Sequence, residues 1–232
     1  MVKFGVVFLL ILAGSALTLV IPSRSGPETV RSGGVGANER LTAFTGAPLY
    51  VLLGLIAVTI LFLQSLLPIH YAIGLLLVPP ILLKLTSTGY RFARYYLGDR
   101  AYRLAGAPSV LLRLTGPILV AATLGVFASG IELWLFGLRF GSAWKTAHTL
   151  SAVVMIVAIG VHLAAHLRRS VTVAVEELGA VRSRTDDDAT RGRISEDASP
   201  RGLVAASVVL GIALAIASFL YATPFPPSAA GG

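Results

Sequence analysis

The chain has 232 residues, 55% of them hydrophobic and only 13% charged, with a formal net charge of +8 and no cysteine. Several uncharged runs of about twenty residues exceed what a soluble core helix needs, which predicts an all-α, polytopic membrane protein of about six spans. The positive charge sits between the apolar runs, where orientation and anionic lipid headgroups account for it, so it is no nucleic-acid signal. Without cysteine, c-type haem attachment, thiolate-bound iron–sulfur clusters and disulfides are excluded, and any redox centre must use nitrogen or oxygen ligands or be organic.

The first apolar run, residues 4 to 21, follows Lys3 and continues as LTLVI up to Pro22. Its length favours an uncleaved span over a signal peptide. Residues 23 to 40 are rich in Gly, Ser and charge and read as a loop. A second run covers residues 47 to 67, Pro68 breaks it, and a third runs from Ile69 to about Thr88, so the two form a tight helical hairpin. Pro79 and Pro80 predict a kink in the middle of the third span. That span leaves the bilayer through GYRFARYYLGDRAYR, an aromatic and basic interfacial anchor. The fourth span runs from about Leu114 to Phe136, with Gly116-Pro117 near its start and Glu132 near its end. The fifth lies in WKTAHTLSAVVMIVAIGVHLAAHLRR, residues 144 to 169. Residues 170 to 202 are polar, with an amphipathic start and a remainder of disordered composition. A sixth span, 203 to 221, precedes a Pro- and Gly-rich tail. Small residues on the fourth and sixth spans (Ala121, Ala122, Gly125; Ala205, Ala206, Gly211) predict close helix packing. Four units follow: a span and loop (1–45), a four-helix bundle (46–169), a cytoplasmic loop (170–202), and a last span and tail (203–232).

Sixteen of the nineteen Lys and Arg residues flank or lie in the loops after the first, third and fifth spans; the others are Lys3, Arg139 and Lys145. The positive-inside rule then puts those loops in the cytoplasm and both termini outside.

Three of the four histidines lie in the fifth span. His148 and His162 are fourteen residues apart, so their rings leave nearly the same face, separated by roughly 21 Å along the axis. His166 falls on the same stripe beside Arg168 and Arg169, as an interfacial residue. An imidazole in hydrocarbon is costly and is a functional candidate. His70 opens the third span and His148 the fifth, and both spans run inward, so both rings sit at the outer end at one depth. Two neutral imidazoles so placed can supply the axial ligands of a b-type haem, with His162 as an alternative or second-site ligand. Gly74, one turn below His70, and Gly130 on the fourth span could let a porphyrin approach the backbone. Arg139 and Lys145 sit where propionates would emerge, and Trp144 could cap the site. Glu132 could orient a ligating histidine, relay a proton, or pair with Arg139. Lys84, level with His162, is expected to snorkel to the inner headgroups.

A helix carrying histidines at positions 148 and 162, with one more at 70 on an earlier helix, resembles the small four-helix b-type cytochromes that serve as membrane subunits of respiratory dehydrogenases and hydrogenases. The stretch LLPIHYAIGLLLVPPILLKLTSTGYRFARYYLGDRAYR, followed by GPILVAATLGVFASGIELWLFG and the histidine span, is similar to uncharacterised actinobacterial members of that superfamily over residues 46 to 168. The resemblance implies haem b held by His70, His148 or His162. It also implies electron exchange with quinone or quinol and a redox partner or catalytic subunit, in a bacterial plasma membrane. It departs from diheme members in having no second histidine on the partner helices, which favours one haem over two. No catalytic domain is present, so the expectation is an electron-transfer subunit rather than a complete enzyme. Two alternatives stay open: a haem-free scaffold or assembly protein, and a small transporter with a histidine relay.

Overall fold

A computed structural model describes residues 2–20, 34–104, 106, 110–162 and 200–220. All regular structure among these residues is helical: α1 (Val2–Val20), α2 (Gly34–Phe44), α3 (Gly46–Leu61), α4 (Leu63–Tyr96), α5 (Arg100–Leu104), α6 (Val110–Phe136), α7 (Ala143–His162) and α8 (Pro200–Leu220). Five helical stretches are long and apolar enough to cross a membrane, α2 and α3 counting as one, while the apolar stretch described within α1, Gly5–Gly14, is shorter. The chain is a multi-pass helical membrane protein. Its helices expose large apolar side chains such as Leu55, Leu82, Leu124, Val157 and Leu210, as lipid-facing surfaces do. The amphipathic segment after 170, His166 and the Pro- and Gly-rich tail lie outside the described residues.

The hairpin differs from the expected one. The chain turns at Phe62 (φ −119°, ψ 37°), six residues before Pro68. A second departure from helical dihedrals follows at Leu66 (φ −110°, ψ 17°). Pro68 therefore stands in the first turn of the long helical stretch, where its missing N–H would have had no helical acceptor to reach. Leu66, and neither Pro79 nor Pro80, is where the interior dihedrals of α4 leave the helical range. The predicted loop of residues 23 to 40 is also shorter at its end, because Gly34 to Arg40 belong to α2. That helix buries Val35, Gly36 and Ala43 and packs on α4 and α8.

Hydroxyls within the bundle satisfy themselves locally. Thr45, Thr59, Thr123, Ser129, Ser207 and Ser218 each donate to a carbonyl three or four residues back along the chain. Apolar packing around α1 and α3 centres on Phe8, Leu12, Leu53, Ile56 and Ala57, with Leu77 of α4 and Ile156 of α7 joining them.

Of the helix pairs described, α8 on α4 makes the most extensive contact. Val204, Ser207, Gly211, Ala215 and Ser218 form its buried stripe, at helical spacing, whereas Ala205 and Ala206 are exposed. Pro80 has no N–H for the Leu76 carbonyl four residues back, and Gly211 packs its backbone against that carbonyl. A Cβ at 211 would lie 2.3 Å from the Leu76 oxygen. Gly211→Ala is therefore expected to force the two helices apart and destabilise the fold by about 1–3 kcal/mol. Gly54→Ala, where the added carbon meets open space, should leave stability unchanged. Thermal or denaturant unfolding in detergent distinguishes the two.

Candidate functional site

Between α1, α3, α4, α6 and α7 lies a cavity of about 260 Å³. A water occupies about 30 Å³ of liquid, so this is room for a sizeable organic group rather than a lone ion. Its walls are apolar except at a few points: His70 and Tyr71 on α4, Trp134 on α6, and Lys145, His148 and Thr149 on α7. The two imidazoles face each other across it with ring centroids 6.4 Å apart and ring planes at 83°.

Each ring is held from behind. The Thr59 hydroxyl donates its single proton to the Ile56 carbonyl at 2.7 Å, so at 2.8 Å from His70 Nδ1 it can only accept. His70 consequently carries its proton on Nδ1 and presents a bare Nε2. His148 Nδ1 lies 3.0 Å from the Val126 carbonyl, which has no proton to give. It also lies 3.2 Å from Ser129 Oγ, whose own proton goes back to the Gly125 carbonyl. The same tautomer follows: Nδ1–H donated to α6, Nε2 bare. Two imidazolium ions this close in apolar surroundings would repel strongly, so the two rings are not charged together.

Glycines give the rings their positions. A Cβ at Gly130 would stand 3.1 Å from His148 Cε1, so Gly130 is the notch that lets this ring reach the Val126 carbonyl. What it accommodates in this structure is the imidazole, where the sequence pointed to a porphyrin. Gly125 accommodates Ser151 of α7 in the same way, its own Cβ position being 2.6 Å from that hydroxyl oxygen. Gly74, one turn below His70, faces the cavity, and a Cβ there would meet nothing within 4 Å, so a flat group can approach α4 at this point.

Of the residues singled out in the sequence, His70, Gly74, Gly130, Lys145 and His148 line the cavity, and His162 and Arg139 do not. The Arg139 guanidinium instead lies over the Phe140 ring at 5.9 Å. His162 is at the far end of α7, roughly 21 Å along the axis from His148. Trp144 is exposed, and Trp134 is the indole that lines the cavity. Glu132 neither orients a histidine nor pairs with Arg139, because neither of its buried carboxylate oxygens has a hydrogen-bond partner among the described residues. Lys84 does not snorkel: its ammonium bonds the Thr42 carbonyl of α2. There it joins Asn38, Thr42 and Ser87 in a polar seam between α2 and α4. Arg91 pairs with Glu39 at 3.2 Å, and Arg94 pairs with Asp99 between the Tyr90 and Tyr102 rings. Sequence reasoning missed Thr59, Ser129 and the Val126 carbonyl. Their only signal was hydroxyls on apolar helices, which are ordinarily satisfied within the helix.

A metal–imidazole bond is about 2 Å long, and the ring centre lies roughly 1.1 Å behind the nitrogen, so two imidazoles on opposite sides of one metal have centroids roughly 6.2 Å apart. The observed spacing matches. Among the described residues no group of three or more His, Cys, Asp or Glu side chains gathers here, so a bare ion would lack most of its shell. A metalloporphyrin brings four nitrogens of its own and needs only the two axial ones. Lys145 is the lysine among the residues that line the cavity. No protein-family model, curated protein or solved structure matches this chain.

If Thr59 sets the His70 ring, Thr59→Val should lower affinity for an iron or zinc porphyrin about ten- to a hundredfold, and Thr59→Ser should largely retain it. Titration of the apoprotein, with helicity checked by circular dichroism, measures this.

Proposed function

We propose that the chain is an integral-membrane b-type cytochrome that binds one haem between His70 and His148 and carries electrons between the quinone pool and a redox partner. The observation that carries this reading is the pair of rings, each with Nδ1 beside a helix oxygen and with centroids 6.4 Å apart, a separation that two ligands of one metal would have. Bound there, haem supplies a one-electron couple. The chain's residues do the rest. His70 and His148 would hold the iron, and Thr59, Ser129 and the Val126 carbonyl would fix the ring tautomers. The apolar walls exclude water, and Lys145 holds an anionic edge at the rim. Sixteen of nineteen basic residues flank or lie in the loops at the opposite end, which by the positive-inside rule supports an extracytoplasmic position for this end of the bundle, in what would be a bacterial plasma membrane. Electrons would thus exchange there with a quinol and an extracytoplasmic partner or a catalytic subunit.

Protein purified from a haem-replete host should show a Soret band, a reduced-minus-oxidised b-type spectrum and one haem per chain. His70→Ala and His148→Ala should each abolish most of the pigment, and His162→Ala should keep it. Crossed ring planes also predict a strongly anisotropic low-spin ferric resonance by electron paramagnetic resonance. Folded, colourless protein would favour a scaffold; proton or solute flux in liposomes without pigment would favour a transporter.

A further inference from the structure

Glu132 is the buried ionisable group that nothing above employs. Both carboxylate oxygens are shielded from solvent, and neither has a hydrogen-bond partner among the described residues. A carboxyl stripped of water and given no donor is a costly, uncompensated polar group, which makes it a functional candidate. Its place on α6 shows what lies near it. Ala122, Gly125 and Ser129 form the stripe of α6 that includes contacts to Ser151 and His148 of α7, and Glu132 continues it, seven residues past Gly125 and so only roughly 20° out of line. It stands one turn, about 5 Å, beyond Ser129, whose hydroxyl touches His148.

We propose that Glu132 is the proton-binding site that balances the charge of the histidine-flanked centre, a step that rests on the haem reading above. The helices packed against α6 are α4 and α7. The ionisable groups they turn toward this end are His70 and Tyr71 from α4 and Lys145 and His148 from α7, and Arg139 follows on α6's own continuation. None is hydrogen-bonded to Glu132. With the centre oxidised, its net positive charge favours the carboxylate form across a low-dielectric gap. One electron from a quinol, itself oxidised to the semiquinone, would remove that charge. One proton from the adjoining aqueous phase then bonds to a Glu132 oxygen, forming O–H, and reoxidation releases both. Reduction and protonation are coupled one to one, so reduction becomes harder as pH rises.

The test is a potentiometric titration of the purified holoprotein from pH 5 to 9. The wild-type midpoint should fall by up to about 59 mV per pH unit, a tenfold change for a one-electron couple, within a bounded window. Glu132→Gln should flatten that slope while keeping the Soret band and haem content. Glu132→Asp should retain the slope and displace its window. Infrared difference spectra of reduction should gain a carboxylic C=O band that is missing in Glu132→Gln. A pigmented wild type with a pH-independent midpoint, a Glu132→Gln slope equal to wild type, or an Asp variant with an unmoved window would overturn the proton site and leave the cytochrome standing. A folded protein that binds no haem would overturn both.

Discussion

Each imidazole in the cavity has one nitrogen tied to an oxygen that has no proton to offer. For His70 the oxygen is a threonine hydroxyl whose hydrogen is spent on its own helix; for His148 it is a backbone carbonyl on α6, with a serine hydroxyl beside it. This constraint sets both tautomers, aims two lone pairs into an apolar space and makes that space attractive to an electrophile. A membrane interior strengthens the effect, because water is not at hand to solvate the bare nitrogens.

Keeping the rings in register demands helices that do not slide, and the bundle achieves this at backbone distance. Gly130 and Gly125 let α7 settle into α6, and Gly211 lets α8 settle onto the Leu76 carbonyl. Gly74 and Leu76 are two residues apart and so point to opposite sides of α4. One side faces the cavity and the other faces α8. The helix carrying His70 is therefore braced from behind by a span that contributes nothing to the cavity wall. Pro80, which would weaken a lone helix, leaves the Leu76 carbonyl without its N–H, and that is the carbonyl the Gly211 backbone packs against.

The two ends of the bundle handle polar groups differently. Toward the end richer in basic residues, Lys84, Asn38, Thr42, Ser87, Arg91 and Glu39 join α2 to α4 in bonded pairs. These interactions close on themselves and read as structure. At the other end, two bare imidazole nitrogens and a carboxyl with no hydrogen-bond partner remain open among the described residues. Function is expected where polar groups in hydrocarbon are left incomplete, and that is the end where the cavity lies.

Helical class, approximate spans and the two facing histidines were legible in the chain alone, since apolar run length and the phase of a 3.6-residue helix are local properties. Break positions were less so. Pro68 advertised a turn, yet the chain bends at Phe62 and Leu66, because a proline is compatible with the first turn of a helix as well as with its end. Side-chain destinations were not legible. Lys84 could reach headgroups or a neighbour, and a carbonyl on α2 decided it. Glu132 had three candidate roles, and its oxygens bond nothing among the described residues. The roles of Thr59, Ser129 and the Val126 carbonyl exist only once α3 lies behind α4 and α6 behind α7, because a hydrogen bond between helices depends on packing distance and rotation, which no single segment encodes.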